Sequence, residues 1–315
     1  MHDVIVIGAG PAGLAAAAYT LHHHLKTLVI APDLAGRAAY RLQLPWLTER
    51  EYISGEETVA ELRRQLLASP DVKRYLDVVE QVFIHDRAFQ MITAEGDAAL
   101  GRSMIVATGV RPRALGVPGE QRLSGYGVSY SATSHASLFT ERSVVVIGSD
   151  LRALRAVADL LPIAAHVTLI APDPAALQAH PLGQRLTQTE RITVLAGWSV
   201  AEIIGEQYAG GVIAVAPDGQ VQTIPADGVF IEHGLEAPTD FLGALVARND
   251  SGQILVDECG ATSRAGLFAA GDITSSAHAE QILIALGEGA KAGLSACAYL
   301  REGPDWTYER AHTAG

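Results

Sequence analysis

Residues 4–13 read Val4-Ile5-Val6-Ile7-Gly8-Ala9-Gly10-Pro11-Ala12-Gly13. The same kind of stretch returns as Val144-Val145-Val146-Ile147-Gly148-Ser149-Asp150-Leu151-Arg152-Ala153. After each comes a helical stretch, to about Leu25 and Leu161, and then a second apolar run, Thr27 to Ile30 and Val167 to Ile170. Both runs end in Ala-Pro-Asp, at Ala31-Pro32-Asp33 and Ala171-Pro172-Asp173, so Gly8 to Asp33 and Gly148 to Asp173 have equal spacing. Two strand–turn–helix–strand units imply two nucleotide-type βαβ folds in one chain. In the first unit Gly8 suits a tight turn, Gly10 a close backbone approach to pyrophosphate, and Gly13 the packing of helix on strand. The helix opened by Pro11 and Ala12 then presents its N-terminus to the phosphates. A glycine motif alone is weak. Set between a strand and a helix, it points to a bound dinucleotide.

The whole chain supports a large α/β protein. Its 315 residues suggest two domains at roughly 100–200 residues each. Hydrophobic residues make up 49% and charged residues 18%, enough for a large core and against disorder. The formal charge of −12 argues against a nucleic-acid partner held by bulk electrostatics. No apolar run reaches the ~20 residues of a membrane span. Val4 to Ala18 resembles a signal-peptide core only in hydropathy: no basic segment precedes it and glycines interrupt it, so a cytoplasmic protein is expected. Cys259 and Cys297 are far apart and form no CxxC, which excludes a disulfide framework and a thiolate zinc site. His22-His23-His24 point to different faces of a helix and read as a helix end, so no metal site is expected.

The remaining elements are read coarsely. Residues 51–68 and 279–300 look helical, and 76–107 and 194–231 look like strands with turns. Pro112, Pro118 and Gly119 mark one linker, and Gly234 to Pro238 a second. Asp33, two residues beyond the usual ribose-binding position at Ala31, is either a ribose partner or a turn residue following proline.

Further segments carry a family resemblance. Ile105-Val106-Ala107-Thr108-Gly109, followed by Arg111-Pro112, resembles the ATG segment of flavoproteins with two dinucleotide-binding domains. Gly266 to Asp272 resembles their second FAD motif, and Ala279-Glu280-Gln281-Ile282-Leu283 resembles the start of the helix beneath the isoalloxazine. In order and spacing the chain is most similar to low-molecular-weight thioredoxin reductases and relatives such as the ferredoxin–NADP reductases of that type. The resemblance implies FAD, a homodimer, and an α/β fold of two Rossmann-like, three-layer ββα domains. The second domain is inserted into the first: an FAD-binding domain over 1–113 and 237–315, and an NAD(P)H-binding-like domain over 114–236. It implies cofactor-binding roles for Gly8, Gly10, Pro11, Ala12, Gly13, Asp33, Ala107, Thr108, Gly109, Gly271, Asp272, Glu280, Gln281 and Ile282.

The departures from that family narrow the expected function. At the place of the redox dithiol stands Ser131-Ala132-Thr133-Ser134-His135. A hydroxyl has no accessible anion and forms no disulfide, so thiol–disulfide exchange is excluded there. His135, able to titrate near neutral pH, is either a catalytic proton donor to the flavin or a surface histidine. Asp150 takes the second-glycine position of the repeat, adding bulk and negative charge where a diphosphate would lie, and arginines for a 2′-phosphate are missing after Ile170. Arg152 and Arg155, on the following helix, are either contributors to a 2′-phosphate site or, the reading favoured here, a solvated helix face. Trp306 and Tyr308 either stack on the flavin or pack elsewhere. The expectation is an FAD-dependent oxidoreductase without a dithiol and without ordinary NAD(P)H use, passing electrons between flavin and an unidentified protein or small-molecule partner. The alternatives are an NAD(P)H-dependent ferredoxin- or flavodoxin-type reductase and a non-catalytic FAD-binding protein.

Overall fold

A computed structural model describes residues 1–34, 36–47, 56–70, 72–186, 189–277, 280–303 and 306. The chain divides into two compact units. The first holds Met1–Ala39, Ile53–Arg111 and Glu236–Gly315, and the second Tyr40–Tyr52 and Pro112–Leu235. Residues 40–47, which follow the first unit's Ala39 in sequence, belong to the second.

In the first unit, parallel strands run in the order Val72–Tyr75, Thr27–Ile30, His2–Ile7 and Ala98–Val106, with Leu267–Ala269 paired to the last. Ala98–Val106 has both antiparallel and parallel neighbours in this one sheet. Residues 98–101 pair antiparallel with Ala88–Thr93, which pairs with Val79–His85, while residues 104–106 pair parallel with Leu267–Ala269. One face of the sheet packs under the helices Pro11–His22 and Ile282–Glu302 through Val4, Val6, Ala12, Ala16, Phe268, Ala292 and Ala296. The other face packs through Ile5, Ile7, Leu28, Met91 and Ile254. Strands buried on both faces read as unbroken apolar runs, which is why Val4-Ile5-Val6-Ile7 does not alternate.

The second unit repeats the plan with five parallel strands in the order Ile192–Ala196, His166–Ala171, Ser143–Ile147, Gly228–Ile231 and Val128–Ser129. An antiparallel sheet of Ser199–Ile204, Gly211–Val215 and Val221–Pro225 packs beside it. The repeat seen in sequence is matched bond for bond. Gly8 N–H donates to Ile30 O at 2.8 Å, and Gly148 N–H to Ile170 O at 3.0 Å.

Several element ends differ from expectation. The first helix stops at His22 rather than Leu25, because His24 turns into the left-handed region at φ 58°. The histidine triplet therefore forms a helix end, and no cluster of potential metal ligands occurs among the described residues. The last helix spans Ile282–Glu302, so Glu280 and Gln281 precede it, and Ala279 lies outside the described residues. The helix at 51–68 is described from Glu56 to Ala68. Among the described residues no helix is long and apolar enough to cross a membrane.

Candidate functional site

The two glycine turns, alike in backbone, differ in what caps the following helix. Gly10 is the N-cap of Pro11–His22 and contributes no side chain, and Pro11 occupies the first turn, where its missing N–H costs nothing. Gly8 adopts φ 106°, and a side chain there would meet Ala107 O at 2.2 Å. A methyl group on Gly13 would stand 1.9 Å from Gly8 O, so helix and turn approach as closely as backbone allows. Around Gly10, by contrast, nothing lies within 4 Å of a built Cβ. The turn is tight on its protein side and open at Gly10, facing a helix N-terminus with unsatisfied amides.

Ala107, Thr108, Gly271 and Ala12 close around this turn. Ala107 N–H donates to Ile7 O (2.7 Å) and Ala270 N–H to Val106 O (3.0 Å), which aligns three strand ends. Gly271 packs on Ala12, where a built Cβ would stand 2.9 Å from that methyl group. The Gly271–Asp272 turn is held by a residue that sequence reasoning missed: Gly271 N–H donates to Glu288 Oε2 at 2.8 Å. Arg37 was missed too. It reaches Glu280 at 2.7 Å and Asp272 at 3.4 Å. Neither has a motif that announces it, since each acts across the fold on a segment remote in sequence. Gly109 follows Thr108 at φ 64°, and Gln281 caps the helix that Ile282 begins. Asp33 accepts the N–H of Gly36 at 2.5 Å, the turn role weighed for it from sequence.

These residues fit an FAD diphosphate and flavin. Thr108 Oγ1 and Gln281 Nε2 are buried polar atoms without a hydrogen-bond partner, in the two segments expected to contact the cofactor. Buried polar atoms are seldom left unsatisfied, and a ligand rich in donors and acceptors supplies what these two lack.

In the second unit the corresponding helix N-terminus is filled by protein. Asp150 caps Leu151–Leu160, and its Oδ1 accepts the N–H of Ala153 at 3.1 Å. Asp173 is likewise committed as a cap, accepting from Ala175 and Ala176 at 2.9 and 3.2 Å. Arg152 corrects the reading as a solvated face. Its Nε pairs with Glu232 Oε2 at 2.5 Å, and Nη2 donates to Tyr130 O at 2.8 Å. The buried Glu232 carboxylate also accepts from Ala132 N–H at 2.8 Å, and its partners offset the cost of burying its charge. Arg155 is exposed.

The serines in the dithiol position sit on a short helix, Ala132–His135, capped by Ser131. Ser131 Oγ donates to Ser134 Oγ at 3.1 Å. His135 Nδ1 lies 2.8 Å from Ser129 Oγ, and the fully buried Ser129 hydroxyl also accepts Ser131 N–H at 3.1 Å. Elsewhere, Trp306 sets its ring edge-on to Phe268 at 5.7 Å within the first unit's core, and Tyr308 lies outside the described residues. Cys297 is buried in the last helix and Cys259 half-buried in a turn. Burial pushes both thiols up, with Asp257 adding to the effect at Cys259.

Comparison with known proteins agrees with this architecture. Residues 2–289 match the family described as pyridine nucleotide-disulphide oxidoreductase. The chain is 34% identical to an NADH dehydrogenase of Bacillus subtilis over 304 residues, covering 95% of this chain and 58% of that protein. It is also 34% identical to an alkyl hydroperoxide reductase component of Xanthomonas campestris pv. phaseoli over 311 residues, covering 95% and 57%. The chain thus spans less than two thirds of these relatives. Among solved structures, thioredoxin reductase from Streptococcus pyogenes superposes with a TM-score of 0.85 at 27% identity, covering 96% of this chain and 99% of that one. By its two nucleotide-type folds and by these matches, the chain belongs to the pyridine nucleotide-disulphide oxidoreductase family.

Proposed function

We propose that this protein is an FAD-dependent oxidoreductase that uses no dithiol at residues 131–134 and takes no NAD(P)H in its second nucleotide-type fold. The contrast between the two helix N-termini carries this reading. Gly10 leaves the first N-terminus to an anionic ligand, whereas the Asp150 carboxylate occupies the second. Bound FAD would supply the electron chemistry. The protein's part is to bind and orient it. The turn at Gly8–Gly13 would hold the diphosphate, Asp272 the ribityl or phosphate end, and Thr108 and Gln281 would offer their buried polar atoms to the cofactor. Ser131 and Ser134 exchange a hydrogen bond with each other and cannot relay electrons to a disulfide. Electrons therefore pass to or from a protein or small-molecule partner without that relay.

A second reading, an NADH-dependent reductase, draws support from the name of the Bacillus subtilis relative. One experiment separates the two. The purified chain should be yellow and release FAD, and calorimetric titration with NADH and NADPH should show binding no tighter than about millimolar, ~4 kcal/mol. Asp150→Gly, which removes the carboxylate, should tighten that binding. Micromolar affinity in the unaltered protein would restore the NADH-dependent reading, and a colourless protein that does not take up FAD would end both.

A further inference from the structure

Arg37 stands where three segments of the FAD site meet. It lies in the single turn Gly36–Ala39, and its guanidinium spans two acids remote in sequence. Nη2 is 2.7 Å from Glu280 Oε2 and Nη1 is 3.4 Å from Asp272 Oδ2. The side chains of Arg37, Asp272 and Glu280 are 34%, 20% and 16% exposed, so water screens the three charges only in part. The same turn lies against the glycine loop, since a methyl group on Gly36 would come within 3.2 Å of Gly10 Cα. A diphosphate at Gly10 would bring further negative charge beside two carboxylates, in a chain that already carries −12. Without a counter-charge these groups repel one another.

We propose that Arg37 is a cofactor-binding residue: the cation that allows a dinucleotide diphosphate to bind beside Asp272 and Glu280. The proposal rests on the FAD reading above. Arginine suits the task better than lysine. Its planar fork can span two acceptors at once, and two of its five N–H donors suffice for the carboxylates, leaving the others for phosphate oxygens.

The test measures FAD affinity by quenching of flavin fluorescence, after reversible removal and return of the cofactor. It compares the unaltered protein with Arg37→Ala, Arg37→Lys, Glu280→Gln and the double variant Arg37→Ala/Glu280→Gln, each checked for folding by circular dichroism. Arg37→Ala should weaken binding by about ten- to a hundredfold, the scale of a charge-assisted contact. Arg37→Lys, which keeps the charge and loses the fork, should fall between. The double variant should recover much of the loss, because one of the two acids no longer carries a charge. In Arg37→Ala added salt should strengthen binding by screening the remaining repulsion. Equal affinity in Arg37→Ala and the unaltered protein would overturn the proposal. So would a double variant as weak as Arg37→Ala, which would reveal a loss of shape rather than of charge. Failure of the unaltered protein to bind FAD would instead overturn the cofactor reading itself, and this proposal with it.

Discussion

Single residues make the two halves of the repeat differ. A glycine at position 10 and an aspartate at position 150 occupy matching places in the repeat, yet one leaves a helix N-terminus open and the other fills it. Ser131 and Ser134 have the spacing of a redox dithiol, and their oxygens lie 3.1 Å apart. That geometry supports a gain-of-chemistry test. Ser131→Cys/Ser134→Cys should form an internal disulfide under mild oxidation, seen by mass spectrometry as the loss of two hydrogens, whereas the unaltered protein should form none. The natural thiols do not substitute for them. Both titrate above the ordinary thiol range, so fewer thiolates exist at neutral pH and the thiolate is the reacting form. Native protein should therefore react slowly with iodoacetamide at pH 7, and faster as the pH rises through the raised values. Rapid neutral alkylation of Cys259 or Cys297 would contradict that assignment of burial.

At the scale of elements, the first and last helices of the first unit cross in near contact. Gly289 of Ile282–Glu302 lies against Ala12 of Pro11–His22, and a methyl group on Gly289 would stand 2.0 Å from Ala12 O. No side chain can give way there, since the obstacle is backbone. Gly289→Ala should destabilise the protein by about 1–3 kcal/mol, the usual cost of overpacking, and should loosen the Gly8–Gly13 turn proposed to hold the diphosphate. Chemical denaturation and FAD affinity measured on the same sample check both consequences, and an unchanged midpoint would show that the helices separate freely. The strands and helices themselves were legible because each carries its own period or apolar run. Their ends were less so. Nothing in His22-His23-His24 states which histidine turns left-handed, because that depends on how the chain enters the next strand.

On the scale of the whole molecule, residues 40–47 belong with a unit far from them in sequence. Tyr40 OH donates to Val128 O at 2.6 Å, Gln43 N–H to Gly125 O at 2.7 Å, and Leu42 and Leu44 are buried against Phe139 and its neighbours. Trp46 anchors the end of this segment. Its Nε1 donates to Leu138 O at 3.0 Å, and the Arg142 guanidinium lies 4.3 Å from the centre of its ring. Trp46→Ala should cost about 2–4 kcal/mol, because it removes apolar contact, a hydrogen bond and a cation–π pair together. Equilibrium unfolding in urea measures this loss, and Trp46→Phe should retain part of the stability. An unaffected Trp46→Ala would mean that the segment does not contribute to the core of the second unit.

The sequence alone determined what local pattern can encode: two βαβ units, their equal spacing, the glycines of the first turn and the serines at 131 and 134. Each is written in consecutive residues, because strand burial, turn geometry and side-chain chemistry act over short stretches of chain. Tertiary structure decided the pairings. Arg37 joins Asp272 and Glu280, Arg152 joins Glu232, Glu288 holds Gly271, and Leu42 and Leu44 enter the second core. A charge in sequence does not name its partner. Only the folded chain brings such residues within a few ångströms, where reduced screening makes one opposite charge matter more than the rest.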